Sequence, residues 1–164
     1  MSFGGGVEAP FGTIRGRNWP TIRQFSVFVE NRVGQLSELM RRFEGSRVRV
    51  VALSIIDSVD IAIVRVVLSH PEQGRELLER AGFAIAESDL IGVELPRSSQ
   101  PLLSVCTALL QAEVNIHYAY PLLVHPHGRP AVALHVDNVE MAMNTLQEKG
   151  FTMVREADLS LPEE

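Results

Sequence analysis

The chain of 164 residues carries 15 Lys and Arg against 20 Asp and Glu, a formal net charge of −5, and is 46% hydrophobic. That composition suits one ordinary domain or two very small ones with a real core, and it argues against wholesale disorder. The acidic balance argues against a nucleic-acid partner, and no apolar run approaches the ~20 residues that span a bilayer.

The opening twenty residues hold five of the 12 glycines together with Pro10 and Pro20. They show no apolar stretch of the secretory type, so no export signal is expected, and they read as an extension, residues 1–20. Ile22 to Glu30 is rich in Val and Phe and predicts a strand, broken by Asn31-Arg32-Val33-Gly34. From Gln35, apolar residues at Leu36, Leu39, Met40 and Phe43 fall on one face of a helix that stops before Gly45. Val48–Ile56 and Ile61–Leu68 read as a hairpin turning at 57–60. Pro71 suits the first position of a second helix that Gly82 ends, and Ala84–Ser88 closes the set as a strand. The order then repeats: strand Leu90–Leu95, helix Pro101 to about Ala112, strand Val114–Val124, strand Ala131–Val136, helix Val139–Lys149, strand Thr152–Arg155.

Two residue patterns mark this as an internal repeat. Ala81-Gly82-Phe83 recurs as Lys149-Gly150-Phe151, and the spacing of Leu36, Leu39 and Phe43 recurs at Leu103, Cys106 and Leu110. The expected fold class is therefore α+β, two ferredoxin-like βαββαβ units with helices on one face of antiparallel sheets. The expected segments are the extension 1–20, the units 21–89 and 90–159, and a tail 160–164. Val50 to Ile56 is apolar at odd and even positions alike, with Ser54 the one polar residue in the run. A strand apolar on both sides is buried on both sides, so the face away from the helices needs a cover. A sister unit or a second chain could supply it, and a homodimer is the economical expectation.

The loop Asn31, Arg32, Val33, Gly34, Gln35, Leu36 joins a strand end to a helix start. The first amides of that helix lack internal partners, Gly34 lets a ligand approach the backbone, and Asn31 offers both a donor and an acceptor. The same residues equally suit a turn in which Asn31 is a cap and Gly34 relieves strain.

The stretch FSVFVENRVGQLSELMRRFEGSRVRVVALSIIDSVDIAIVRVV resembles an ACT domain, and residues 21–159 resemble small bacterial proteins made of two tandem ACT units. The resemblance rests on a strand ending in N-x-x-G, a helix with L-x-x-L and the ALSI-x-D-S-x-D run. It implies a regulatory protein without catalytic activity that binds an amino acid between units, of the kind found in the small subunit of acetohydroxyacid synthase. It also implies a possible biosynthetic enzyme as partner, and no cofactor or metal. Carried over by position, Asn31, Arg32, Val33, Gly34, Gln35 and Leu36 form the ligand loop, and Ser54, Ile55 and Ile56 the strand edge facing it. The family usually has Pro where Val33 stands. In the second unit the matching loop, residues 96–101, lacks both the Asn and the Gly, and Pro101 has no N–H to offer, so one site per chain is expected.

His125 and His127 have an i, i+2 spacing that can chelate, yet they fall in an expected turn with no Cys or carboxylate nearby in sequence. The segment VALHVDNVEMAMNTLQEKGFTMVRE also resembles the start of glyoxalase-like (vicinal oxygen chelate) modules, in which His135 would bind a divalent metal. That alternative needs three further strands, and only 14 residues follow Gly150. Cys106 lies on an apolar helix face and reads as a buried thiol.

Overall fold

The computed structural model describes residues 20–160. The expected extension up to residue 19, and residues 161–164 of the tail, lie outside the described residues. The elements run β1 (Ile22–Glu30), α1 (Gln35–Arg41), β2 (Val50–Asp57), β3 (Ile61–Leu68), α2 (Pro71–Arg80) and β4 (Ala84–Glu94). They continue with α3 (Pro101–Gln111), β5 (Ile116–Pro121), β6 (Ala131–Val136), α4 (Val139–Glu148), β7 (Met153–Val154) and a 3-10 turn, Glu156–Ser160.

Local chemistry accounts for the helix ends. Pro71 and Pro101 open α2 and α3, where a missing N–H costs nothing. Asn138 caps α4 by accepting from the Met141 amide. Gly82 and Gly150 stop α2 and α4 with φ of +84°, a conformation that glycine adopts without strain.

One seven-stranded antiparallel sheet has the order β2-β3-β1-β4-β6-β5, with β7 paired to β4. The first unit is thus ordered β4-β1-β3-β2 and the second β7-β4-β6-β5, the same ferredoxin-like order twice. The sequence divides residues 84–95 into two strands, but in the structure Ala84–Glu94 is a single strand used by both units. Its first half pairs with β1, from Phe28↔Ala84 to Ile22↔Leu90, and its second half with β6 and β7. Ser88 and Asp89 suggest a break, yet both are satisfied in an extended chain: Gln24 Nε2 donates to Ser88 Oγ at 2.9 Å, and Thr21 Oγ1 to Asp89 at 3.4 Å.

The sheet also curls until its edges meet. Ala52 in β2 bridges Leu122 just past β5, and the Leu123 amide donates to Val51 O at 2.7 Å. Alternation along each strand then gives two outer cores and one inner core. Outside, Phe25, Val27, Val64 and Val66 pack with Leu39 and Leu78 of α1 and α2, and Ile91, Val93 and Leu134 pack with α3 and α4. Inside, Ile22, Ala52, Val67 and Leu90 of the first unit meet Tyr120, Leu122 and Ala133 of the second. Much of the apolar face predicted to need a cover is therefore covered by the sister unit in the same chain. Each fully buried Leu, Ile or Phe in these cores stabilises the fold by about 1.5–3 kcal/mol.

Candidate functional site

The 31–36 loop follows the end of β1 and is held by its own polar residues. Asn31 Nδ2 donates to Asp57 Oδ1 at 2.6 Å and to Ser58 O at 2.8 Å, and the Asn31 amide donates to Asp60 O at 3.1 Å. These three bonds fasten the loop to the β2–β3 hairpin. Arg32 Nε donates to Glu30 at 3.1 Å. Gln35 Oε1 accepts from Arg32 Nε and Nη2, both at 2.6 Å, in the amide orientation that matches donors to acceptors. Three of the six predicted residues thus build the loop, and Asn31 Oδ1 has no partner among the described residues.

Gly34 is the N-cap of α1 at φ +87°, and no described side chain caps the helix start, although the first amide, Gln35 N–H, donates to Arg32 O at 3.3 Å rather than standing free as expected. A Cβ placed on Gly34 would meet nothing within 4 Å. Val33 is fully exposed, and Leu36 is half-buried against the outer core. Ser54, Ile55 and Ile56 belong to β2, the end strand of the sheet, beyond the single bridge at Ala52. Their outward backbone groups lie along the open edge of the sheet, and Ile55 and Ile56 are 47% and 38% exposed.

Phe28, Val59 and Ile61 near this edge are exposed as well, Phe28 and Ile61 on the same sheet face as Ile56. Sequence reasoning missed these three and Asp57, the residue that anchors Asn31. The signal was present in the DSVD turn, whose apolar Val59 has no reason to sit between two acids on a free hairpin. A cavity of about 580 Å³ lies elsewhere, beside Arg23, His70 and Glu156. On its wall Arg23 is paired to Glu156 at 2.7 Å and to Glu72. The Glu156 and Glu72 carboxylates hold the Arg23 pKa above its ordinary value against the opposing effect of burial.

A second polar group lies on the inner face where the units meet. Gln24, fully buried, donates from Nε2 to Tyr118 Oη at 2.8 Å and to Ser88, and accepts from Tyr120 Oη at 2.6 Å. Burial pushes the Tyr120 phenol pKa up, so it stays a donor. The His135 ring stacks on Tyr118 with centroids 4.7 Å apart, and His117 lies 5.3 Å away. Burial first, then the charges of His117 and Arg65, push the His135 pKa down. His127, by contrast, is tied to Glu94 at 3.2 Å and to Asp158 at 3.4 Å. Among the described residues no group of three or more His, Cys, Asp or Glu is placed to hold a metal ion. The further ligands that the His135 alternative requires are therefore missing from the described residues.

The family described as "ACT domain pair" has a model that matches residues 20–161. A crystal structure of a Bacteroides thetaiotaomicron protein is 26% identical with a TM-score of 0.78, covering 87% of this chain and 98% of that one. The ligand-free regulatory subunit of aspartate kinase from Thermus thermophilus is 10% identical with a TM-score of 0.54, over 79% of this chain and 91% of that one. At that identity the likeness is one of fold. No curated protein matches this chain.

Proposed function

We propose a function on one premise: the chain belongs to the ACT domain pair family. On this reading it is a regulatory module, without catalysis of its own, that reversibly binds a small amino acid. The ligand carboxylate sits over Gly34 at the start of α1, where no described side chain caps the helix. Its amine is received by Asn31 Oδ1 or by the β2 edge at Ser54, Ile55 and Ile56, and its side chain rests on Val33. Support comes above all from one observation: the loop is rigidly tied to the hairpin, yet the space above Gly34 is open.

The surface beside the loop favours a second copy of the chain as the other wall. Ile55 and Ile56, 47% and 38% exposed on the two faces of β2, flank its outward edge, which the sister unit of the same chain leaves open beyond Ala52. A homodimer pairing along this edge would enclose the ligand between chains and leave the sheet face at Phe28 open, giving two sites per dimer. Regulation follows when the ligand binds one assembly state better than another. The natural target of such a module is an amino-acid biosynthetic enzyme in the cytoplasm, with residues 1–20 as a docking segment. No helix among the described residues is long and apolar enough to cross a membrane.

Thermal denaturation against the twenty amino acids, followed by calorimetry, tests the reading. A ligand present at about a hundred times its Kd adds about 2.7 kcal/mol, which raises Tm by roughly 5–10 °C for a chain of this size. Gly34→Asn keeps a residue tolerant of positive φ and fills the open space, so it should weaken binding about tenfold or more while Tm without ligand changes little. If no amino acid raises Tm, or if Gly34→Asn binds as the wild type does, the assignment fails.

A further inference from the structure

Arg65 is a partly buried charge with no carboxylate partner among the described residues. It lies in the middle of β3, pairing with Ser26 on one side and Ser54 on the other. Alternation puts all three on the inner face, since Ile22, Ala52 and Val67 of the same strands and parity fill the inner core. The Arg65 guanidinium carbon stands 3.6 Å from the centroid of the Tyr118 ring. That contact engages no N–H donor in a hydrogen bond, and the guanidinium has no hydrogen-bond acceptor among the described residues. No described carboxylate pairs with it, although the chain carries an excess of acids.

The surroundings of this half-buried cation are specific. Further along the inner face, Phe28, Ile63 and Ile56 form an apolar row in register across β1, β3 and β2, with Phe28 and Ile56 exposed. On the other side, Tyr118 is stacked on His135, whose buried Nδ1 has no hydrogen-bond partner among the described residues. A planar fork of donors, two flanking hydroxyls and an adjacent apolar row match a molecule with a carboxylate at one end and an apolar group at the other. A symmetric contact between two copies centred on this spot would instead set one Arg65 against another, which like charges disfavour.

We propose that the uncovered end of the inner face is a second binding site, in which Arg65, flanked by Ser26 and Ser54, takes the carboxylate of a small apolar acid. The apolar part lies on Phe28, Ile56 and Ile63. The site is distinct from the 31–36 loop and requires no amine on the ligand. An incoming carboxylate offsets the Arg65 charge that His135 faces, so the two imidazoles beside Tyr118 report its arrival.

The test uses the full chain, with phenylacetate as probe, phenylacetamide as its uncharged counterpart, and imidazole signals read by proton–nitrogen NMR. Phenylacetate should move the His135 and His117 signals saturably, and the amide should not. Arg65→Met keeps an unbranched side chain without the charge and should weaken binding about tenfold or more. Ser26→Ala combined with Ser54→Ala gives a second reading that does not depend on that variant folding. Absence of saturable shifts, equal binding of the amide, or no loss in either variant overturns the proposal. So does inorganic phosphate competing as well as phenylacetate, because the apolar row would then contribute nothing. Amides of residues 31–36 should stay still with phenylacetate, so this site and the amino-acid site can each fail without the other.

Discussion

At the scale of single residues, Gln24 shows how a buried polar group fixes one arrangement of two units. Its amide is fully inside, and both ends are used: two hydrogens go to Ser88 and Tyr118, and the oxygen receives Tyr120. Gln24→Leu would leave the buried Tyr120 hydroxyl with no acceptor, at a cost of about 1–3 kcal/mol. Removing that hydroxyl as well, in Gln24→Leu with Tyr120→Phe, should recover part of the loss, because an apolar pair leaves neither group stranded. Urea denaturation of the two single variants and the double variant measures this directly as a coupling energy. A double variant as unstable as the sum of the singles would show that the pair does not act as a unit. Nothing in the sequence reveals the partnership, since Gln24 and Tyr120 are 96 positions apart. The 31–36 loop was legible for the opposite reason: a strand end, Asn, Gly and a helix start are contiguous, so local rules suffice.

Among the elements, legibility follows the same division. β1 and β3 begin and end where their Val- and Ile-rich runs predict, because each run lies between turn residues that interrupt it. β7 keeps only Met153–Val154 of the expected 152–155, and residues 156–160 form a 3-10 turn that no local pattern signals. Long-range ties set this ending, in which Glu156 reaches Arg23 across 133 positions. The joining of two expected strands into β4 is also invisible locally, and Gly92 marks where it matters. A Cβ on Gly92 would lie 2.4 Å from Ile22 Cδ1 and 2.8 Å from the backbone oxygen of Val154. A side chain could swing aside, but a paired strand backbone cannot do so cheaply, so Gly92→Ala should destabilise the chain by about 1–3 kcal/mol. Gly74→Ala makes a useful contrast: its Cβ would meet the far end of Leu68, 2.3 Å away, and alanine improves a helix interior by about 1 kcal/mol. Differential scanning calorimetry should therefore place Gly92→Ala well below Gly74→Ala in Tm, and the reverse order would contradict this account of the β4–β7 junction.

For the whole molecule, the shared strand and the meeting of β2 with β5 make two repeats into one cooperative body. A repeat protein whose units touch only through a linker can lose one and keep the other. Here a cut after Asp89 would divide β4, separating Leu90 from Ile22 and leaving Ala52 and Val67 without Tyr120, Leu122 and Ala133. Each half would then expose an apolar sheet face of the kind that drives aggregation. The intact chain should accordingly unfold in a single transition, with calorimetric and van't Hoff enthalpies equal. Fragments 1–89 and 90–164, expressed separately, should show no cooperative melt, and mixing them should restore one if β4 can re-form across the gap. A separate melt from either fragment would mean that its outer core alone is sufficient for folding. The same architecture bears on regulation. With the two units locked together, a ligand at the 31–36 loop has little freedom to act by moving one against the other. In the proposed homodimer the remaining freedom lies between chains, along the β2 edge at Ser54, Ile55 and Ile56, where binding and assembly would be linked.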